Sequence, residues 1–278
     1  MGMASLKKFN ALLRTHFQPA VAVCMFLYPV LKALCGQNTS FTFFLLAVAI
    51  RFGSEDRNLL SGLACGMLCY KPQFGFPILG LFLVSGRFKT FFSGIAMFLL
   101  QLFLNQTIYG DGWLNEWLGF VKWFSAADAV NNAYNAISLV GFAKAVFGPD
   151  NHLAINIASF LMVATIVFIT WVWYRGGRRS DFASMAGLAA ASMVLIPPHV
   201  MFYDFGILLI AWAIIFEKLP HKKSIAMFIV LWLFSLSQMF AQLIGFSPLF
   251  FSSVITWLLA VHLLYNSATG CQVSQEID

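Results

Sequence analysis

Apolar residues in this chain come in runs, separated by short polar interruptions. Ten such segments can be read, at about 17–35, 39–51, 58–70, 74–86, 90–107, 152–174, 182–196, 202–217, 224–241 and 249–265. Runs of this kind predict an all-α chain, a polytopic membrane protein of about ten helical segments. A full crossing takes about 20 apolar residues, and several segments are shorter. Short helices joined by polar tips are tolerated at membrane depth only where the tip lines a cavity or is covered by protein. The shortfall therefore points to short and broken helices around a recessed site. Between the fifth and sixth segments lies one long connection, about 108–151. Within it Trp113, Trp117, Phe120, Val121 and Phe124 recur at helical spacing, with Asn115, Glu116, Gly119 and Lys122 between them. That pattern predicts an amphipathic helix in the headgroup layer, either serving a surface site or anchoring the protein as an aromatic belt.

Composition agrees with the runs. Of 278 residues 60% are hydrophobic, 17% aromatic and only 10% charged, and the mean hydropathy is +0.80. Soluble domains carry roughly 25% charged residues, so a water-soluble globule is excluded. A net charge of +6 is too dilute for a nucleic-acid surface, and no nucleic-acid partner is expected. Membrane lipids are the expected surroundings. Cys24, Cys35, Cys65 and Cys69 lie in apolar runs, and with Cys271 they form no C-x-x-C or Cys/His pattern, which predicts buried thiols. The basic start followed by an apolar stretch imitates a signal peptide. Pro29, Lys32 and the lack of a small-x-small site favour a retained first span.

Charge sets the sidedness. With the N-terminus in the cytoplasm and loops counted alternately, thirteen of the seventeen Lys and Arg fall on one side. They are Lys7, Lys8, Arg14, Arg51, Arg57, Arg87, Lys89, Arg175, Arg178, Arg179, Lys218, Lys222 and Lys223. Basic residues mark cytoplasmic loops, so both termini are expected in the cytoplasm. The expected organisation is one transmembrane domain over 1–266, with its external loop at about 108–151, and a disordered cytoplasmic tail over 267–278.

Three short connections then share the external face: Gly36-Gln37-Asn38, Tyr70-Lys71-Pro72-Gln73 and Pro197-Pro198-His199, the last followed by Tyr203 and Asp204 at the start of the next helix. Prolines 72, 197 and 198 break helices and free backbone groups that need partners. Lys71 and His199 can neutralise a lipid phosphate, and the amides can hold sugar hydroxyls. Asp204 can accept from hydroxyls or hold Lys71 or His199. A charge inside a span costs roughly 2.5–3.5 kcal/mol, so Asp204 is expected to be paired. Each residue also has a plainer reading. Lys71 could snorkel to the headgroups, His199 could be a loop histidine, Asp204 could complement a helix dipole, and Gln37 and Asn38 could cap the second helix. Gln238 and Gln242 share a helix face and could bond across helices. Asp111, Glu116, Asp128 and Asp150 lie in the long loop without ligand spacing, so no metal site is expected. No P-loop, dinucleotide fingerprint or serine-hydrolase elbow occurs.

The stretch from Gly36-Gln37-Asn38 through Ser61-Gly-Leu-Ala-Cys-Gly-Met-Leu-Cys-Tyr-Lys-Pro-Gln73 to Gly86-Arg87 resembles glycosyltransferase family 87, membrane enzymes of the GT-C type. The segment from Pro197 to Asp204 and the Trp-bearing loop are similar to the same family. The resemblance implies a GT-C-like helical fold and hexose transfer, as in polyprenyl-phosphate-mannose-dependent mannosyltransferases. A polyprenyl-phosphate sugar donor and a glycolipid or glycan acceptor would be the partners, at the external face of the cell membrane, with no cofactor. Lys71 and His199 would suit the phosphate; Gln37, Asn38, Gln73, Tyr203 and Asp204 would suit sugar or acceptor. Family members begin with a further membrane portion whose first large external loop carries the presumed catalytic aspartate. Here no acidic residue precedes Glu55, so the resemblance leaves the catalytic base unassigned, with Asp204 as a candidate substitute. The chain resembles a shortened or N-terminally truncated relative, inactive alone if the base is missing. The competing readings are a transporter or lipid flippase, and a non-catalytic remnant or subunit.

Overall fold

The structure is a computed structural model and describes residues 38–176, 182–219 and 221–275. The first apolar segment and Gln37 lie outside the described residues. Within these limits the chain is helical, without strands, and nine of the ten apolar segments each coincide with helix.

Four helices form the first half: α1 (Thr39–Ser54), α2 (Asn58–Leu68), α3 (Pro72–Val84) and α4 (Phe88–Tyr109). Their connections are short, so neighbours run antiparallel. Pro72 opens α3 at the position where a missing N–H costs nothing. Small residues decide how α2 meets α4. A Cβ on Gly62 would fall 2.2 Å from the Thr90 carbonyl oxygen, and one on Gly66 2.3 Å from that of Gly94. The two backbones therefore touch directly, as small residues four apart permit. Cys65 and Cys69 are buried free thiols on this helix, as the apolar runs suggest.

After Gly110 and Gly112, both at positive φ, the chain forms α5 (Trp113–Asn131), a 3-10 turn (Ala133–Asn135) and α6 (Leu139–Phe147). The amphipathic helix read at Trp113–Phe124 is thus present and about two turns longer. Helix α6 was hidden in what reads as loop, and Ser138 caps it by accepting from the Gly141 N–H.

The second half comprises α7 (His152–Gly176), α8 (Phe182–Leu195), α9 (Leu208–Lys218), α10 (His221–Ser237), α11 (Ala241–Ile244) and α12 (Leu249–Gln275). Every residue of α8 from Ser184 to Leu195 is buried, which makes it the central post of the bundle, against α9, α12, α7 and α1. By contrast α4 and α7 are long and apolar enough to cross a bilayer and turn most of their surface outward; the other apolar helical stretches, such as Leu249–Tyr265 within α12, run 10–17 residues. Large exposed side chains such as Leu153, Phe160 and Phe103 are what a lipid-facing surface requires. Two readings of the sequence change. Tyr203 and Asp204 lie in a 3-10 turn, Phe202–Ile207, rather than in the next α-helix. The tail to Gln275 continues α12 rather than being disordered.

The bundle has two distinct ends. Arg87 donates to the Gly53 carbonyl and lies 3.8 Å from Asp56, Phe182 touches Gly53, and Lys218 donates to Ser184. These contacts gather the connections at 55–57, 85–87 and 219 at one end, here called the base. Residues 38–42, 70–73 and 198–204 meet at the other, the tip.

Candidate functional site

The tip is built around one buried ion pair. Lys71 Nζ lies 2.8 Å from Asp204 Oδ1, with only 12% and 5% of the two side chains exposed. The hydroxyl of Thr39 donates to the same carboxylate oxygen at 2.9 Å. Local structure explains the pairing. Lys71 precedes Pro72 at the start of α3, where its carbonyl accepts from the Phe74 and Gly75 N–H groups. A helix N-terminus disfavours a cation, so the ammonium needs the carboxylate, and a lone charge in such a place would be expensive. Asp204 is held in turn by its 3-10 segment, its N–H donating to Met201 O. Snorkelling is thus not what Lys71 does: its side chain turns inward.

Around the pair are hydroxyls and rings. Tyr70 donates to the Asn38 carbonyl at 2.9 Å and shares a hydrogen bond with Thr42. The Lys71 ammonium lies over the rings of Phe74 and Tyr203, at 5.6 and 6.0 Å.

The second cluster is one the sequence does not announce. His199 Nε2 lies 3.2 Å from Asp128 Oδ2. Asp128 comes from the last turns of α5, and Asn132, one turn on, donates to its Oδ1. The backbone on both sides of His199 is pinned: Ser138 donates to Pro198 O at 3.1 Å, and the Ile137 N–H to Val200 O at 2.9 Å. A single antiparallel bridge, Ala136 with Met201, completes this seam.

The expected site residues are thus distributed unevenly. Lys71, Tyr203 and Asp204 come together directly. His199 pairs with Asp128 in the neighbouring cluster. Asn38 contributes its carbonyl; its side chain is exposed and makes no cap, so the capping reading is not realised. Gln73 faces elsewhere: with Pro77, Ile169, Met193 and Pro197 it lines an apolar cavity of about 320 Å³ between α3, α7 and α8. Gln37 lies outside the described residues. Gln238 bonds across to Asn135 at 3.1 Å and accepts from Ser247, while Gln242 is exposed. Asp128 was the missed residue. A signal for it exists, because the stripe of Trp117, Val121 and Phe124 continues at helical spacing onto position 128.

A tip with a buried cation–carboxylate pair, phenols and an imidazole is chemistry suited to a sugar and a phosphate. The model of glycosyltransferase family 87 matches residues 3–198 of the chain. The chain belongs to glycosyltransferase family 87. No curated protein and no solved structure matches it. Family 87 membership makes the chain a membrane glycosyltransferase in general terms, acting on sugar donors and on glycan or lipid acceptors. The match includes Lys71 and Asp128 and stops one residue before His199, so the contacts of His199, Tyr203 and Asp204 rest on the structure alone.

Proposed function

We infer that the chain transfers a hexose, by the family resemblance mannose, from a polyprenyl-phosphate-linked donor to an acceptor hydroxyl. The reaction takes place at the external face of the cell membrane. The observation that carries this reading is the Lys71–Asp204 pair, buried beside Tyr203 at the end of the bundle opposite Arg51, Arg57, Arg87 and Lys218. Basic connections mark the cytoplasmic side, which makes the tip external and keeps both termini inside. The ten-segment topology is retained with it.

In this reading the bond from the anomeric carbon to the phosphate oxygen breaks with its electron pair on the phosphate. Lys71 has ammonium donors beyond the one given to Asp204 and meets that charge in a site poor in water, where a fixed donor counts most. Asp204 Oδ1 already takes Lys71 and Thr39. Such a carboxylate holds Lys71 and accepts sugar hydroxyls better than it takes a proton. Tyr203 and Asn38 line the sugar side. The apolar cavity beginning at Gln73 suits the hydrocarbon of the donor.

The test uses the purified chain in proteoliposomes with a labelled polyprenyl-phosphate hexose. Transfer that disappears on combining Lys71→Ala, His199→Ala and Asp204→Ala is expected. Full transfer by the triple variant would reject this site. Movement of labelled lipid across the bilayer without any transfer would favour a flippase.

A further inference from the structure

Asp128 lies in an unusual place for a carboxylate. Most described side chains of α5 are exposed, among them Leu118, Phe120 and Trp123, yet Asp128 is 8% exposed. Its Oδ1 accepts from Asn132. Its Oδ2 is buried, lacks a hydrogen-bond donor, and faces His199 Nε2 at 3.2 Å. The two atoms are at ion-pair distance without the alignment of a hydrogen bond, and a modest turn of the ring would align them. Pairs of this kind commonly tighten only around substrate. Phe124, one turn before Asp128, meets the imidazole edge-on at 6.2 Å, and the pinned backbone at Pro198 and Val200 limits how far the ring can shift. About a third of the imidazole remains open. A buried carboxylate oxygen left without a donor is costly, so what it faces is informative.

We propose that Asp128 is a positioning residue: it holds His199 with the Nε2 proton toward the carboxylate, leaving Nδ1 to take the proton of the acceptor hydroxyl. This rests on glycosyl transfer for its chemistry, whereas its geometry stands on the pair alone. The acceptor oxygen bonds to the anomeric carbon as the bond from that carbon to the phosphate oxygen breaks, the electron pair leaving with the phosphate. The hydroxyl proton passes to Nδ1 and later to water. His199 is thereby drawn from the phosphate role that the resemblance implied to a proton-handling one, and Lys71 keeps the phosphate. The groups that meet the imidazole are Asp128 and Phe124, both from α5.

The experiment compares the full chain with D128N and D128E in phosphatidylethanolamine–phosphatidylglycerol vesicles. Release of polyprenyl phosphate from polyprenyl-phosphate mannose is measured with octyl mannoside as acceptor probe. Nitrogen NMR of 15N-histidine-labelled protein, with His199 assigned through H199Q, reads which ring nitrogen carries the proton. D128N is expected to lower kcat about 30- to 100-fold, within the range of positioned acid–base groups, with the donor KM within twofold. D128E should recover part of the rate, and the Nε2-protonated form should be dominant in wild type and lost in D128N. Wild-type kcat in D128N, a change confined to KM, or an unaltered tautomer would overturn the proposal. Absence of release by the wild type would reject the transfer reading alone; the tautomer in D128N then decides the positioning role. Should D128N not fold, the wild-type protein decides: neutral His199 protonated on Nδ1 overturns the proposal, and on Nε2 upholds it.

Discussion

The two ends of the bundle use the same kinds of charge in opposite ways. At the base, Arg51 and Arg57 share Glu55, and both arginine side chains are 55% exposed. At the tip, Lys71 and Asp204 are turned inward, and Thr39 donates to the same carboxylate oxygen as Lys71. Exposed pairs are screened and exchange freely with water, so they are worth little energetically. What the base cations contribute is a count, which orients a chain in a membrane. The tip charges contribute a fixed arrangement, which chemistry needs and which the fold must stabilise. Arg87 stands between the two cases, buried at the base with its guanidinium on the Gly53 carbonyl and over the Phe182 ring at 4.4 Å.

That contrast can be broken in steps, each read by unfolding titration in bicelles. The largest effect is expected from splitting the tip pair. Lys71→Ala or Asp204→Ala alone strands a buried charge and should cost about 3–5 kcal/mol, whereas Lys71→Met combined with Asp204→Leu should recover most of that stability. Next comes Thr39→Val, which removes one hydrogen bond to the buried carboxylate and should cost about 1.5–3 kcal/mol. Arg87→Met loses its carbonyl contact and its place over the ring, for about 1–2 kcal/mol. Smallest is Arg51→Ala, below about 1 kcal/mol. A base pair that proved as costly to split as the tip pair would erase the distinction between the two ends.

Much of the fold was legible because runs of apolar residues leave helices few alternatives. The positions of α1 to α4, α7 and α8 follow from them to within a few residues. The pairing of Lys71 with Asp204 was one of the options that the expense of a lone charge in a span allowed, and burial made it the realised one. Three features were not legible. Helix α6 carries Lys144 inside a stretch that reads as loop, and its cap is the single hydroxyl of Ser138. The 3-10 turn at 202–207 follows from the seam that Ala136 and Ile137 form with Met201 and Val200, a contact between segments far apart in sequence. Asp128 and His199 are 71 positions apart, on elements whose meeting only the tertiary structure fixes. Local patterns identify helices and turns; which turns face one another is decided by packing.

The most direct test of the tip as a catalytic site is hexose transfer by the folded Lys71→Met, Asp204→Leu double variant, measured beside wild type in proteoliposomes with a polyprenyl-phosphate mannose donor. Transfer by the wild type and its loss in a double variant that unfolds at near wild-type detergent concentration is the expected result. Transfer at the wild-type rate by that variant would contradict it.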